Sequence, residues 1–138
     1  MAFVAPAAQR PYVMHPMAKT HHDMRVGKRI SIWLGDIADE MELDDYLGDR
    51  FASDFGFEIY APDGPECSAQ EETDIRSLLE GFSQWRQFVD AAVEKAAAAG
   101  VERASAAIVF YNFDYDPSLV QNEDAPMRFI GTVPYSAK

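Results

Sequence analysis

Apolar and polar positions alternate over Arg29–Leu34: Ile30, Ile32 and Leu34 fall on one side, and Arg29, Ser31 and Trp33 on the other. This period of two predicts a strand with a core face and a second face bearing a tryptophan, ended by Gly35. Asp39, with Glu42 three residues on, has the form of a capping box and opens a helix. Leu43, Tyr46, Leu47 and Phe51 continue it at helical spacing across Gly48, while Glu40, Glu42, Asp44 and Asp45 make the opposite face a row of carboxylates. Phe57–Tyr60 predicts a short strand, and Ala61–Glu66, rich in Pro, Gly and Asp, a turn. Ser68 and Glu71 form an S-x-x-E box that predicts a helix running through Ile75, Leu78 and Leu79 to Gly81. Ser83 is placed to cap the next helix, in which Trp85, Phe88, Val89, Ala92, Val93 and Ala96 form one apolar stripe. Gly100 stands where a left-handed terminating residue belongs. Ala106–Tyr111 is a continuous apolar run, the pattern of a central strand buried on both faces. Residues 112–126 form a polar loop, and Met127–Val133 alternates as a last strand.

Strands at the ends and helices in the middle predict an α+β fold in a single domain. Its sheet is antiparallel or mixed, of about four strands, with about three helices packed on one face. Residues 27–138 make up that domain. Residues 1–26 are expected to be a flexible tail, because residues 1–25 hold three prolines, three histidines and four methionines with no periodicity. Met17 and Met24 are alternative translation starts ahead of the ordered pattern.

A length of 138 residues suits one domain, and 48% hydrophobic with 25% charged residues is globular composition. The net charge of −11 is what alters the picture. Residues 1–29 carry +4, residues 36–80 carry −13 and residues 81–138 carry −2, so the acidity belongs to one segment. Such a chain repels a phosphate backbone, which argues against nucleic acid as its partner. Cys67 is the single cysteine, so no intrachain disulfide forms, in keeping with a cytoplasmic protein. No apolar run is long enough to span a membrane, and prolines with Arg10 interrupt any signal-peptide core.

Candidate chemistry is sparse. His15, His21 and His22 all fall in the expected tail, which leaves no ordered Ser-His or Cys-His pair for nucleophilic catalysis. Cys67, placed in a turn beside Glu66, is deactivated rather than activated by that carboxylate. There is no P-loop, G-x-G-x-x-G, C-x-x-C or H-E-x-x-H motif. Asn112, Asp114, Asp116 and Glu123 fall at positions 1, 3, 5 and 12 of an EF-hand-like loop, but Pro117 occupies the sixth position, where the sharp turn demands Gly. No catalytic residue, cofactor or metal is therefore expected. Trp33, Tyr60, Tyr111 and Tyr115, by contrast, fall at the second sheet face or at strand ends beside carboxylates. That pairing suits a protein interface, with rings as anchors and charges as steering groups.

Ile32-Trp33-Leu34-Gly35, then Phe51-Ala52-Ser53-Asp54-Phe55-Gly56 with Tyr60 after it, then Phe129-Ile130-Gly131, together resemble the immunity protein 22 family. Leu79-Glu80-Gly81-Phe82-Ser83 and the tyrosine closing the Ala106–Tyr111 strand are similar too, so the resemblance covers roughly residues 28–133. The acidic, aromatic motif after the family's second strand is reduced here to Tyr60, Asp63 and Glu66, and the spacer before Phe51 is short. The resemblance implies a small, non-enzymatic antidote to a bacterial polymorphic toxin. On that implication Trp33 and Tyr60 are the expected anchors, and Asp36, Asp44, Asp45 and Asp63 the steering charges, against a cognate toxin. A homo-oligomeric module, a homodimer joined through the Trp33 face, is the alternative. A hydrolase using surface carboxylates and a divalent ion is a third reading.

Overall fold

The computed structural model describes residues 19–135. Four strands, β1 (Arg25–Gly35), β2 (Glu66–Asp74), β3 (Arg103–Phe113) and β4 (Met127–Pro134), form one antiparallel sheet in the order β2-β3-β1-β4. Four helices, α1 (Glu40–Asp49), α2 (Phe51–Phe55), α3 (Ile75–Leu79) and α4 (Trp85–Ala98), join them. The α+β class and the four-stranded sheet are as expected.

The two faces of β1 each build a core. Ile30, Ile32 and Leu34 pack with Ala107 and Val109 under α3 and α4, where Phe88, Val89, Ala92 and Ala96 form the buried stripe of α4. Trp33 packs with Ile108 and Phe110 under α1 and α2, joined by Leu43, Tyr46, Phe51, Phe55 and Phe57. The helices thus divide between both faces rather than covering one. The rings of α1 and α2 bury most apolar area by closing over Trp33, which leaves β3 buried along Ala104–Phe110.

The segment after the turn departs most from expectation. Glu66–Asp74 is an edge strand, not the start of a helix, and Phe57–Tyr60 is irregular. The Ser68–Glu71 box is a local preference, and the ladder to β3 overrides it from Glu66↔Val109 to Ala69↔Ala106. Gln70, Glu71 and Glu72 bulge out before pairing resumes at Thr73↔Ala104. An edge strand wets one side and carries a bulge, so its sequence lacks the alternation by which the other strands were recognised. Asp74 then caps α3, its carboxylate accepting from the Ser77 N–H at 3.0 Å and the Ser77 hydroxyl at 2.8 Å. Ser83 does not cap α4: the N-cap is Gln84, at φ 60°, and Ser83 bonds to Glu66 instead. Gly100, at φ +79°, terminates α4 as expected.

The domain also begins earlier than residue 27. His22–Met24 form a 3-10 turn, His21 and Met24 are buried, and the Met24 carbonyl accepts from the Asp114 N–H at 2.9 Å. Residues 1–18 of the expected tail, with His15 and Met17, lie outside the described residues.

Candidate functional site

Trp33 has no exposed surface. Its ring touches those of Tyr115 and Phe129, both at 4.9 Å, Phe51 and Phe110, both at 5.3 Å, and Phe55 at 5.6 Å. The expectation that it anchors a partner is therefore corrected: α1 and α2 cover the face it occupies. Tyr115 is buried as well, its hydroxyl donating to the Phe55 carbonyl at 2.7 Å. Tyr111 is half-buried and Tyr60 is 44% exposed, so Tyr60 is the most accessible of the four aromatics.

The acidic helix stands as the period of 3.6 requires. Asp39 caps α1, accepting from Met41 N–H at 2.7 Å and Glu42 N–H at 3.2 Å. Glu40 and Glu42 then sit in the first turn, where the positive end of the helix dipole favours them. Leu43 and Tyr46 turn inward, which leaves Glu40, Glu42, Asp44 and Asp45 exposed. The buried Asp54 ties α1 to its surroundings: it accepts from the Tyr46 hydroxyl at 2.8 Å and from the Asn122 amide at 3.1 Å.

Glu40 and Asp44 reach the neighbourhood of Cys67 on β2, and Glu66, the residue before it, adds its charge from the other face of the sheet. The half-buried thiol is pushed above its ordinary pKa, first by burial and then by the charges of Asp44, Glu40 and Glu66. Its thiolate fraction at pH 8 is therefore small, and alkylation by iodoacetamide is expected to run several-fold slower than that of free glutathione. Asp44→Asn is expected to speed it. A Cys67 rate equal to glutathione's, or one indifferent to Asp44, would contradict this arrangement.

The second cluster is the loop before β2. Ala61–Asp63 form a 3-10 turn, and Asp63 pairs with Arg25 at 3.3 Å. This half-exposed pair is worth at most about 1 kcal/mol. The Tyr60 ring lies 4.7 Å from that of His22, and the Tyr60 N–H donates to His21 Nδ1 at 2.9 Å. The ordered position of His21 also corrects its placement in a flexible tail.

Asp63 lies at the end of the sheet where Arg25 pairs with Phe113, Asp36 follows Gly35 at the opposite end, where Gly35 pairs with Ala106, and Glu66 pairs with Val109 between them. The seven-residue span of β3 between the two end pairs is about 23 Å long. The fold therefore places Glu40 and Asp44 of α1 on the Cys67 side of the sheet, turns the Glu66 carboxylate to the other face toward Ser83 and Tyr111, holds Tyr60 with Asp63, and leaves Asp36 apart.

Glu66 was missed as a candidate anchor of the local structure. Its carboxylate accepts from the Ser83 N–H and the Ser83 hydroxyl, both at 2.9 Å, and from the Tyr111 hydroxyl at 2.5 Å. These partners lie 17 and 45 residues away, so no local pattern could have revealed them. Two of the EF-hand-like residues, Asn112 and Asp116, are engaged by protein groups. Asn112 Oδ1 accepts from Lys28 N–H at 3.1 Å and the Tyr135 hydroxyl at 2.9 Å. Asp116 accepts from Ser118 and pairs with Lys19 at 3.2 Å. Among the described residues no three His, Cys, Asp or Glu side chains are grouped to hold a metal, and no helix is long and apolar enough to cross a membrane.

No curated protein and no solved structure matches the chain. The model of one protein family, described as Immunity protein 22, matches residues 30–136, which takes in all but Met24 of the two cores, α1, the Tyr60–Asp63 turn and all of β2. On that match the chain belongs to the immunity protein 22 family.

Proposed function

We propose that this chain neutralises a cognate bacterial toxin domain by stoichiometric binding, without chemistry of its own, and that the contact is made by the acidic surface of α1 and β2 with Tyr60 and Asp63 at its end. The family supports an antidote role in general. The observation that supports the finer reading is the exposed carboxylate row Glu40, Glu42, Asp44 and Asp45 on α1, from which Glu40 and Asp44 act on Cys67 of β2, an element distant in sequence. A toxin domain that acts on nucleic acid presents a cationic groove. An acidic face complementary to that groove steers the encounter and occupies the place of the phosphates. Tyr60 supplies the exposed ring, and Asp45 flanks the same helix. The homodimer reading rested on a free Trp33 face, and α1 and α2 occupy that face.

The test uses the full chain and the toxin domain encoded beside it. Co-purification at low salt is expected to yield a one-to-one complex. Asp44→Lys with Asp45→Lys reverses two exposed charges without touching either core. It is expected to slow association roughly tenfold or more at low salt, with the effect shrinking as salt is raised. An unchanged association rate at low salt, or no complex at all, sinks the proposal. Cys67 offers an independent readout: its alkylation is expected to slow further in the complex.

A further inference from the structure

The turn that precedes β1 holds the Tyr60–Asp63 loop at three points. His21 Nδ1 accepts from the Tyr60 N–H at 2.9 Å, the His22 ring lies against the Tyr60 ring at 4.7 Å, and Arg25 pairs with Asp63 at 3.3 Å. Of these three, the first is the directional one. The His21 ring is 4% exposed and packs edge-on among Phe113 at 5.0 Å, Phe110 at 5.7 Å and Phe57 at 6.0 Å. Those rings fix the plane of the imidazole and aim Nδ1 at the loop. Because Nδ1 accepts, the ring carries its proton on Nε2 and is neutral. An imidazolium has no acceptor, so protonation turns this hydrogen bond into two opposed donors.

We propose that neutral His21 is the positioning residue of the Tyr60–Asp63 loop, and that its protonation releases the loop and weakens the grip on the partner. The partner-binding half of the proposal rests on the placement of Tyr60 and Asp63 in the toxin-binding surface.

The charged and titratable groups around the ring come from each neighbouring segment. His22 belongs to the same turn and Arg25 to β1, and both oppose a further positive charge. Asp63, from the loop, favours it, but is itself held by Arg25. Tyr60 faces the ring from the loop, and Tyr111 of β3 lines the same small cavity with Arg25, Asp63 and Asn112. Burial is the largest influence, and it holds the His21 pKa below the ordinary 6.5. A base whose pKa falls on folding favours the folded arrangement above the unfolded pKa and loses that contribution as pH falls through the folded value. The loop is therefore held at neutral pH and freed in acid, below 6.5.

Two variants of the full chain separate the parts of the proposal. His21→Asn keeps an acceptor near the position of Nδ1 and does not titrate. His21→Phe keeps the ring and has no acceptor. In the free protein, the Tyr60 amide followed by NMR is expected to be protected from hydrogen exchange at neutral pH. It is expected to lose that protection, relative to intrinsic exchange, as the His21 ring resonances titrate. His21→Asn is expected to keep Tyr60 protected with no pH step, and His21→Phe to leave it unprotected at every pH. Toxin affinity of the wild type is expected to fall about tenfold between the held and freed states. Tyr60 protection that survives in His21→Phe, or a pH step that persists in His21→Asn and so arises from His22 or Asp63, overturns the role of His21. A Tyr60 step as described with unchanged toxin affinity overturns the coupling to the partner and, with it, the placement of Tyr60 in the binding surface. If His21→Phe does not fold, the wild-type titration set against His21→Asn still decides.

Discussion

Trp33→Ala is expected to destabilise the domain by about 3–5 kcal/mol, the range for emptying a buried large aromatic site. The side chain is fully buried against five other rings contributed by α2, β3, β4 and the loop after β3. None of these elements can collapse into the space without breaking its own contacts with the sheet. For a domain of this size the cost corresponds to a fall in Tm of roughly 10–20 °C. Thermal unfolding followed by circular dichroism measures it directly. Trp33→Phe is the informative comparison. Trp33 Nε1 is buried with no hydrogen-bond partner among the described residues, and such a group carries a penalty of about 1–3 kcal/mol. Phe removes that orphan donor while keeping most of the ring, so it is expected to cost far less than Ala. Trp33→Ala with an unchanged Tm and reduced toxin binding would return Trp33 to the interface and contradict the burial described here.

Gly35→Ala is the second large effect, and its cause is space rather than backbone conformation. A Cβ at Gly35 would enter the van der Waals shell of the Pro126 carbonyl oxygen and lie 2.6 Å from Met127 Sδ and 2.8 Å from Met127 Cα. The sulfur can move, but the Pro126 carbonyl and the Met127 backbone cannot without shifting the start of β4. The same carbonyl accepts from the Asp36 N–H at 3.2 Å, so the shift also disturbs the exit of β1. The expected cost is about 3 kcal/mol, at the upper end for overpacking. It is read as a lower midpoint in urea with an unchanged slope. Gly27→Ala, where an added Cβ meets none of the described residues within 4 Å, is the control and is expected to be nearly neutral. Equal midpoints for the two variants would show that β4 yields at Pro126.

These two variants bear on what the family resemblance consists of. Ile32, Trp33, Leu34, Phe51 and Phe55 are all at most 2% exposed, and Gly35 is the glycine that admits β4. The signature residues are those that build two cores on one sheet. Tyr60 and Asp63, two of the positions kept from the family's acidic, aromatic motif, lie in the turn where the rest of that motif is lost, and they are exposed. A surface that must fit one particular partner is free to change residue by residue, whereas a packed interior is not.

The elements legible in the sequence are those whose periodicity reflects burial on a defined face. The β1 alternation, the α4 stripe from Trp85 to Ala96, the β3 run and the Asp39 cap all appear as expected, because each pattern records how that segment meets the core. β2 was not legible. Its polar edge, its bulge at Gln70–Glu72 and its helix-like box are consistent with either state locally, and the ladder to β3 chose between them. The acidic character of residues 36–80 could likewise be counted from the chain, together with the exposure of Glu40, Asp44 and Asp45 on α1.

By itself, then, the sequence determined an acidic single α+β domain with one central strand, and the membership that its core motifs imply. Tertiary structure alone decided that Trp33 is interior, that Glu66 ties β2 to Ser83 and Tyr111, and that His21 belongs to the domain and holds Tyr60. The physical reason is common to all three. Alternation states that a residue has a second face, but whether helices or water cover that face depends on the area other segments can bury there. A hydrogen bond between residues tens of positions apart leaves no period in either segment.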